Sequence, residues 1–288
     1  MSKILIGLEG GAGKHITVSA VIKQMHEEGH EVHVMAAWPQ ILQGNPYIAR
    51  LHEWQRSEYL IERFNEYDQV ILDDPYRQRP FLQGELNLAQ TWFWMWDGRL
   101  VSREDAIPDY WITLAEEQEI NSFIQGIEKP IMVVQTNGGQ HQGWAWTKDI
   151  PLPEAAQVLN HFAEEYEIIH LRQKGQPQIE GIKHTEELSI RQCIALLARS
   201  KKRFLIDSYA QHAAAALNLP STVYWAATKP EQFGYDLHTN IESYEPTLKN
   251  QHRLEMLFSG LDHSSDKCPF SAGQRLLPLE ETMQSLRV

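Results

Sequence analysis

Ile4-Leu5-Ile6-Gly7-Leu8 is a short, unbroken apolar run that leads straight into Glu9-Gly10-Gly11-Ala12-Gly13. A strand buried on both faces of a parallel sheet reads as such a run, not as an apolar/polar alternation. The glycines interrupt regular structure. From His15 the apolar positions Ile16, Val18, Val21, Ile22 and Met25 recur at helical spacing up to Gly29, a natural stop just past a helix end. Glu31-Val32-His33-Val34-Met35 resumes an extended pattern. Strand, loop, helix and strand within about thirty residues predict a right-handed βαβ crossover and a parallel sheet.

At 288 residues the chain has room for two such units. A third strand is expected over 69–72, ending in Asp73-Asp74-Pro75. The run Thr91-Trp92-Phe93-Trp94-Met95-Trp96 fits neither the helical nor the strand period. Residues 108–114 read as a connector and 115–127 as a helix, with a domain boundary near Glu128-Lys129-Pro130. Beyond it, strands over 131–134, 168–171, 204–206 and 222–224 alternate with helices over 154–166, 189–199 and 211–217. The expectation is an α/β protein of two Rossmann-like, doubly wound domains, residues 1–128 and 129–275. Residues 276–288 are expected to form a terminal helix that packs back on the first domain.

Charge narrows the partners. Lys and Arg number 26 against 38 Asp and Glu, a net charge of −12. A general nucleic-acid binder, or a protein held to anionic lipid by bulk charge, would be basic. No apolar run approaches the roughly 18 residues that span a bilayer, and no signal peptide opens the sequence. A cytoplasmic protein with at most peripheral membrane contact is expected. Two cysteines, Cys193 and Cys268, supply neither a disulfide framework nor a four-cysteine zinc site. His26, His30 and His33 are separated by the Gly29 stop, so no metal site is expected.

Ligands of open parallel sheets bind where strand ends lead into helix starts, and two loops have that position. In the first, Gly10, Gly11 and Gly13 allow close backbone approach, and the free N–H groups of the next helix favour an anion or a hydroxyl. A phosphate-binding P-loop would need glycine at position 8 and Ser or Thr at position 15; this chain has Leu8 and His15. A P-loop-like NTPase therefore stays the weakest alternative. The second loop, Asp207-Ser208-Tyr209-Ala210-Gln211-His212, precedes the small residues 213–216. Asp207 and Ser208 are suited to cap the helix, whose positive end would face a diphosphate above the strand. A plain helix cap with no ligand fits the same residues.

The segment from Glu187-Leu188-Ser189 through Phe204-Leu205-Ile206-Asp207-Ser208-Tyr209-Ala210-Gln211-His212 to Leu217 resembles the donor-site stretch of the ADP-heptose:lipopolysaccharide heptosyltransferase family. Residues 220–234 resemble that family's next segment. Gly10–Val21 with Gly44-Asn45-Pro46-Tyr47-Ile48 resembles its N-terminal loop and Asn-Pro motif. The resemblance implies a GT-B-like fold, two Rossmann-like domains facing across a cleft, the first holding a hydroxyl acceptor such as a glycan or glycolipid. The second would hold a nucleoside-diphosphate sugar as donor substrate, with no cofactor. Carried across by residue, Leu188, Asp207, Ser208, Tyr209 and His212 fall in the donor segment. Thr136 and Asn137 line the facing loop, and Lys148 neutralises the leaving diphosphate. Such a cation, with a helix dipole, offsets the developing charge without a metal.

Two departures stand out. Where the family carries an acidic base after its glycines, this chain has Lys14, and a lysine is ordinarily protonated at neutral pH. His15 is the leading substitute base and Glu9 the second. Asp74, with Gly10, Gly11 and Gly13, completes the acceptor-side wall. Tyr209 stands where the family has glycine. The expected function is sugar transfer, with the acceptor surface drawing on Trp92–Trp96 unless that run is core, and with Trp144 and Trp146 near the donor. The competing reading is a non-catalytic nucleotide-sugar-binding protein.

Overall fold

Parallel pairing organises both halves of the chain. The computed structural model describes residues 1–54, 59–138, 145–243 and 273–288, and every strand ladder within them is parallel. Two compact units divide the chain, Met1–Thr113 and Leu114–Val288.

In the first unit the elements run β1 (Lys3–Leu8), α1 (Ala12–Thr17), α2 (Ser19–Glu27), β2 (Glu31–Ala36), α3 (Pro39–Leu42), β3 (Arg50–Glu53), α4 (Tyr59–Phe64), β4 (Gln69–Ile71), α5 (Arg79–Leu82) and α6 (Leu88–Asp97). The sheet order is β3-β2-β1-β4, with Ile4 beside Val32 and Ile6 beside Val34. The helix expected from His15 onward divides at Val18. There the Thr17 hydroxyl donates to Lys14 O at 2.9 Å and the Ser19 hydroxyl to Ile16 O at 2.7 Å. Such back-bonding competes with the helical ladder and bends it. Gly29 ends α2 with φ +85°, as its position predicted.

The aromatic run is helix α6. Asn87 and Gln90 cap its start reciprocally, and Gly98 closes it at φ +77°. Trp92, Phe93 and Trp96 are buried in the unit's core with Ile6, Val21 and Val34, while Trp94 is 37% exposed. The run is core, so the acceptor-surface reading of it falls.

The second unit comprises α7 (Leu114–Phe123), β5 (Ile131–Val134), α8 (Leu152–Phe162), β6 (Glu167–His170), β7 (Lys183–His184), α9 (Ile190–Arg199), β8 (Lys202–Ile206), α10 (Tyr209–Ala216), β9 (Thr222–Trp225), α11 (Pro230–Phe233), β10 (Thr239–Glu242) and α12 (Leu279–Arg287). Its sheet order is β10-β9-β8-β5-β6-β7. The compact units meet at 113/114, ahead of the boundary drawn from the sequence near 128. Helix α7 belongs with the second unit because it is tied to α9: Arg191 pairs with Glu116, and Gln192 Nε2 donates to Glu119 at 2.8 Å. Helix α12 also belongs to this unit, with Leu286 in its core and Ser285 2.9 Å from the Thr222 hydroxyl.

Candidate functional site

In the first unit, the loop after β1 turns at Gly10, whose φ of +86° is left-handed backbone that glycine adopts freely. Gly11 precedes α1, where a Cβ would meet nothing within 4 Å; Gly13 lies inside α1. Lys14 does not face a ligand. It is 4% exposed, with Nζ 2.7 Å from Asp74 Oδ2 and 4.6 Å from the Tyr76 ring centroid. The other Asp74 oxygen accepts from Tyr76 N–H at 3.0 Å and caps the turn Pro75–Arg77. A phosphate-gripping lysine must be free to reach its ligand, so the NTPase reading loses its central residue.

His15 is fully buried and both ring nitrogens are engaged. Nδ1 donates to Gly11 O at 3.0 Å, and Nε2 accepts from Trp38 N–H at 3.3 Å. Burial pushes its pKa down to about 4. The ring is neutral, but its free lone pair is occupied, so it offers an acceptor hydroxyl nothing to bond. The leading substitute base from the sequence is a clamp on the loop. Glu9, at the end of β1, is exposed.

In the second unit, strands β5 and β8 end side by side and bring Gln135, Lys148, Asp207 and Ser208 together. Lys148 Nζ lies 2.9 Å from Asp207 Oδ2; the lysine side chain is 33% exposed and the aspartate 3%. Burial alone would push the Asp207 carboxyl up, but the adjacent Lys148 ammonium outweighs it and holds the group below the usual carboxylate range. Ser208 precedes α10 without a side-chain cap bond: its hydroxyl accepts from Gln135 Nε2 at 3.1 Å, and the Gln211 N–H of the first turn donates to Ser208 O at 3.3 Å.

The other expected donor residues are placed differently. His212 is buried, 2.9 Å through Nδ1 from the Tyr235 hydroxyl, and burial pushes its pKa down to about 4. Thr136 is fully buried, bonded at 2.8 Å to both Asn137 Oδ1 and His170 Nε2. Asn137 is buried and donates to Asp149 Oδ2 at 2.9 Å. Tyr209 is half-buried and hydrogen-bonds with the Cys193 thiol. Leu188 is half-buried in the turn before α9, its N–H donating to Thr185 O at 2.9 Å. Trp146 is buried, and Trp144 lies outside the described residues. Sequence reasoning missed Gln135 and Asp149. The one signal for Asp149 was an acidic residue following a glycine-rich stretch, Asn137-Gly138-Gly139.

The fold so described is that of glycosyltransferases of known structure. E. coli ADP-heptose lipopolysaccharide heptosyltransferase II is 15% identical over 83% of this chain and 89% of its own, with a TM-score of 0.65. The family 9 glycosyltransferase of Veillonella parvula is 12% identical over 99% of this chain and 96% of its own, at 0.71. E. coli heptosyltransferase WaaC, solved with ADP, is 12% identical over 88% and 98%, at 0.58. The two Rossmann-like parallel units expected from the sequence are the architecture these proteins share. No family model matches the chain, and no curated protein matches it in sequence. Among the described residues no helix is long and apolar enough to cross a membrane, and no group of three or more His, Cys, Asp or Glu is arranged to hold a metal ion.

Proposed function

We propose that this chain is a glycosyltransferase that moves a sugar from a nucleoside diphosphate to a hydroxyl acceptor such as a glycan or glycolipid. The observation that carries the reading is the Lys148–Asp207 pair beside the uncapped start of α10. Departure of the diphosphate builds negative charge. A half-exposed ammonium and the positive end of α10 offset that charge while Asp207 fixes the lysine. On the acceptor side, with His15 occupied and Lys14 paired to Asp74, Glu9 is the proposed base for the acceptor hydroxyl. The acceptor-side role of the first unit, a cytoplasmic setting with at most peripheral membrane contact, and a metal-free reaction complete the proposal. ADP-heptose is the first donor to test, on the sequence resemblance and on the name of one structural neighbour.

A thermal-shift screen against ADP-, UDP-, GDP- and dTDP-sugars tests the reading. A ligand at about a hundred times its Kd stabilises by roughly 2.7 kcal/mol, and one class of donor is expected to do so. The competing reading, binding without turnover, draws on Lys14 standing where a base is expected. Slow donor hydrolysis separates the two: a transferase leaks sugar to water, and a pure binder returns the donor intact.

A further inference from the structure

Asp149 is a fully buried carboxylate that accepts from Asn137, Gly138 and Ala145. Its Oδ1 accepts from Gly138 N–H at 2.9 Å; its Oδ2 accepts from Asn137 Nδ2 at 2.9 Å and from Ala145 N–H at 2.8 Å. One side chain therefore holds the backbone at both Gly138 and Ala145. The chain on either side is held as well. Asp149 N–H donates to Ala145 O, Ile150 N–H to Thr136 O and Ala227 N–H to Thr147 O, each at 2.9 Å. Lys148, the preceding residue, is the one that reaches Asp207.

We infer that Asp149 is a positioning residue: by holding Asn137, Gly138 and Ala145 around its own carboxylate it delivers the Lys148 ammonium to the end of β8, where the donor's diphosphate is met. The role rests on the donor-site reading above. A carboxylate suits the position because Asn137, Gly138 and Ala145 all donate to it; an amide of the same shape turns an N–H toward at least one of them. These donors also stabilise the buried negative charge of the carboxylate.

The test titrates ADP, UDP, GDP and dTDP, each beside its nucleoside, into wild type, Asp149→Asn, Lys148→Ala and the double variant. For the diphosphate that wild type binds, each single substitution is expected to weaken affinity by about tenfold or more and to change nucleoside affinity by less than about twofold. The double variant is expected to lose no more than the worse single, because both act through one ammonium. Amide exchange at Gly138 and Ala145 should rise in Asp149→Asn and stay unchanged in Lys148→Ala. Undiminished diphosphate affinity in Asp149→Asn, fully multiplicative losses, or equal loss of nucleoside and diphosphate overturns the role. Should Asp149→Asn not fold, Asn137→Ala removes one donor and leaves two. A diphosphate-selective loss of about two- to fivefold then supports the role, and no loss overturns it. A wild type that binds none of the four diphosphates overturns the donor-site reading and this role with it.

Discussion

Lys14 Nζ sits 2.7 Å from Asp74 Oδ2, joining the loop after β1 to the turn after β4, with the lysine side chain 5% and the aspartate 30% exposed. The asymmetry decides which partner matters more. Asp74→Ala strands a buried ammonium and removes the cap on Tyr76 N–H, whereas Lys14→Met leaves a carboxylate that water reaches. Urea unfolding is expected to show Asp74→Ala losing about 3 kcal/mol and Lys14→Met about 1 kcal/mol. The double variant should be more stable than Asp74→Ala alone. Equal single losses, or strict additivity, would contradict the asymmetry.

Four buried histidines make stability depend on pH in a defined window. Burial pushes His15, His170, His212 and His238 each down to about 4. In the unfolded chain each takes up its proton near pH 6.5, so between about 6.5 and 4 the unfolded state holds more protons. The stability contributed by these neutral rings is complete above about pH 6.5 and is lost as pH falls toward 4. Each histidine contributes a slope of at most about 1.4 kcal/mol per pH unit. Glu28, held down from the ordinary glutamate value of 4.5 to about 2, loses its contribution as pH falls from about 4.5 to 2, so above pH 5 the fall is the histidines'. Urea midpoints at pH 7.5, 6.5, 5.5 and 5.0 should fall in that order; a flat profile would refute it.

Helix α6 separates core aromatics from a surface one within a single turn. Trp92 is 2% exposed and its Nε1 donates to Thr17 Oγ1 at 3.1 Å; Trp94 is 37% exposed. Trp92→Ala is expected to cost about 3–5 kcal/mol and Trp94→Ala about 0.5 kcal/mol or less. Were Trp94→Ala to abolish acceptor binding while leaving stability intact, the assignment of this run to the core would need revision.

The strands buried on both faces were legible because their sequences are continuous apolar runs: Ile4–Leu8, Ile131–Val134 and Phe204–Ile206 all lie inside their sheets. Besides the short helices α3, α4, α5 and α11, two kinds of element were missed. Strands β3, β7 and β10 lie at sheet edges and read Arg-Leu-His-Glu, Lys-His and Thr-Asn-Ile-Glu, too polar or too short to signal a strand. Helix α6 is buried around most of its circumference and shows no stripe; only Asn87-x-x-Gln90 and Gly98 betray it. At the sites, residue types were legible and directions were not. Nothing in Gly13-Lys14-His15 states that the lysine turns to Asp74 or that the imidazole turns back to Gly11. Lys148 and Asp207 were both identified, but their pairing joins positions far apart in sequence.

Glu154, in the first turn of α8, fixes where the end of the chain docks. Its carboxylate accepts from Leu276 N–H at 3.2 and 3.1 Å and from Leu277 N–H at 2.6 Å, and both leucines are buried. These bonds place the chain just before α12, whose Leu286 completes the second unit's core. Glu154→Ala leaves two buried amides unsatisfied, a loss of about 2–3 kcal/mol, and Glu154→Gln restores one good acceptor and should recover about half. Because the partners precede α12, the damage should appear first as faster amide exchange in residues 279–287, before global unfolding. If exchange there matches wild type while global stability falls, Glu154 supports α8 through its position near that helix's N-terminus instead, and the docking role is wrong.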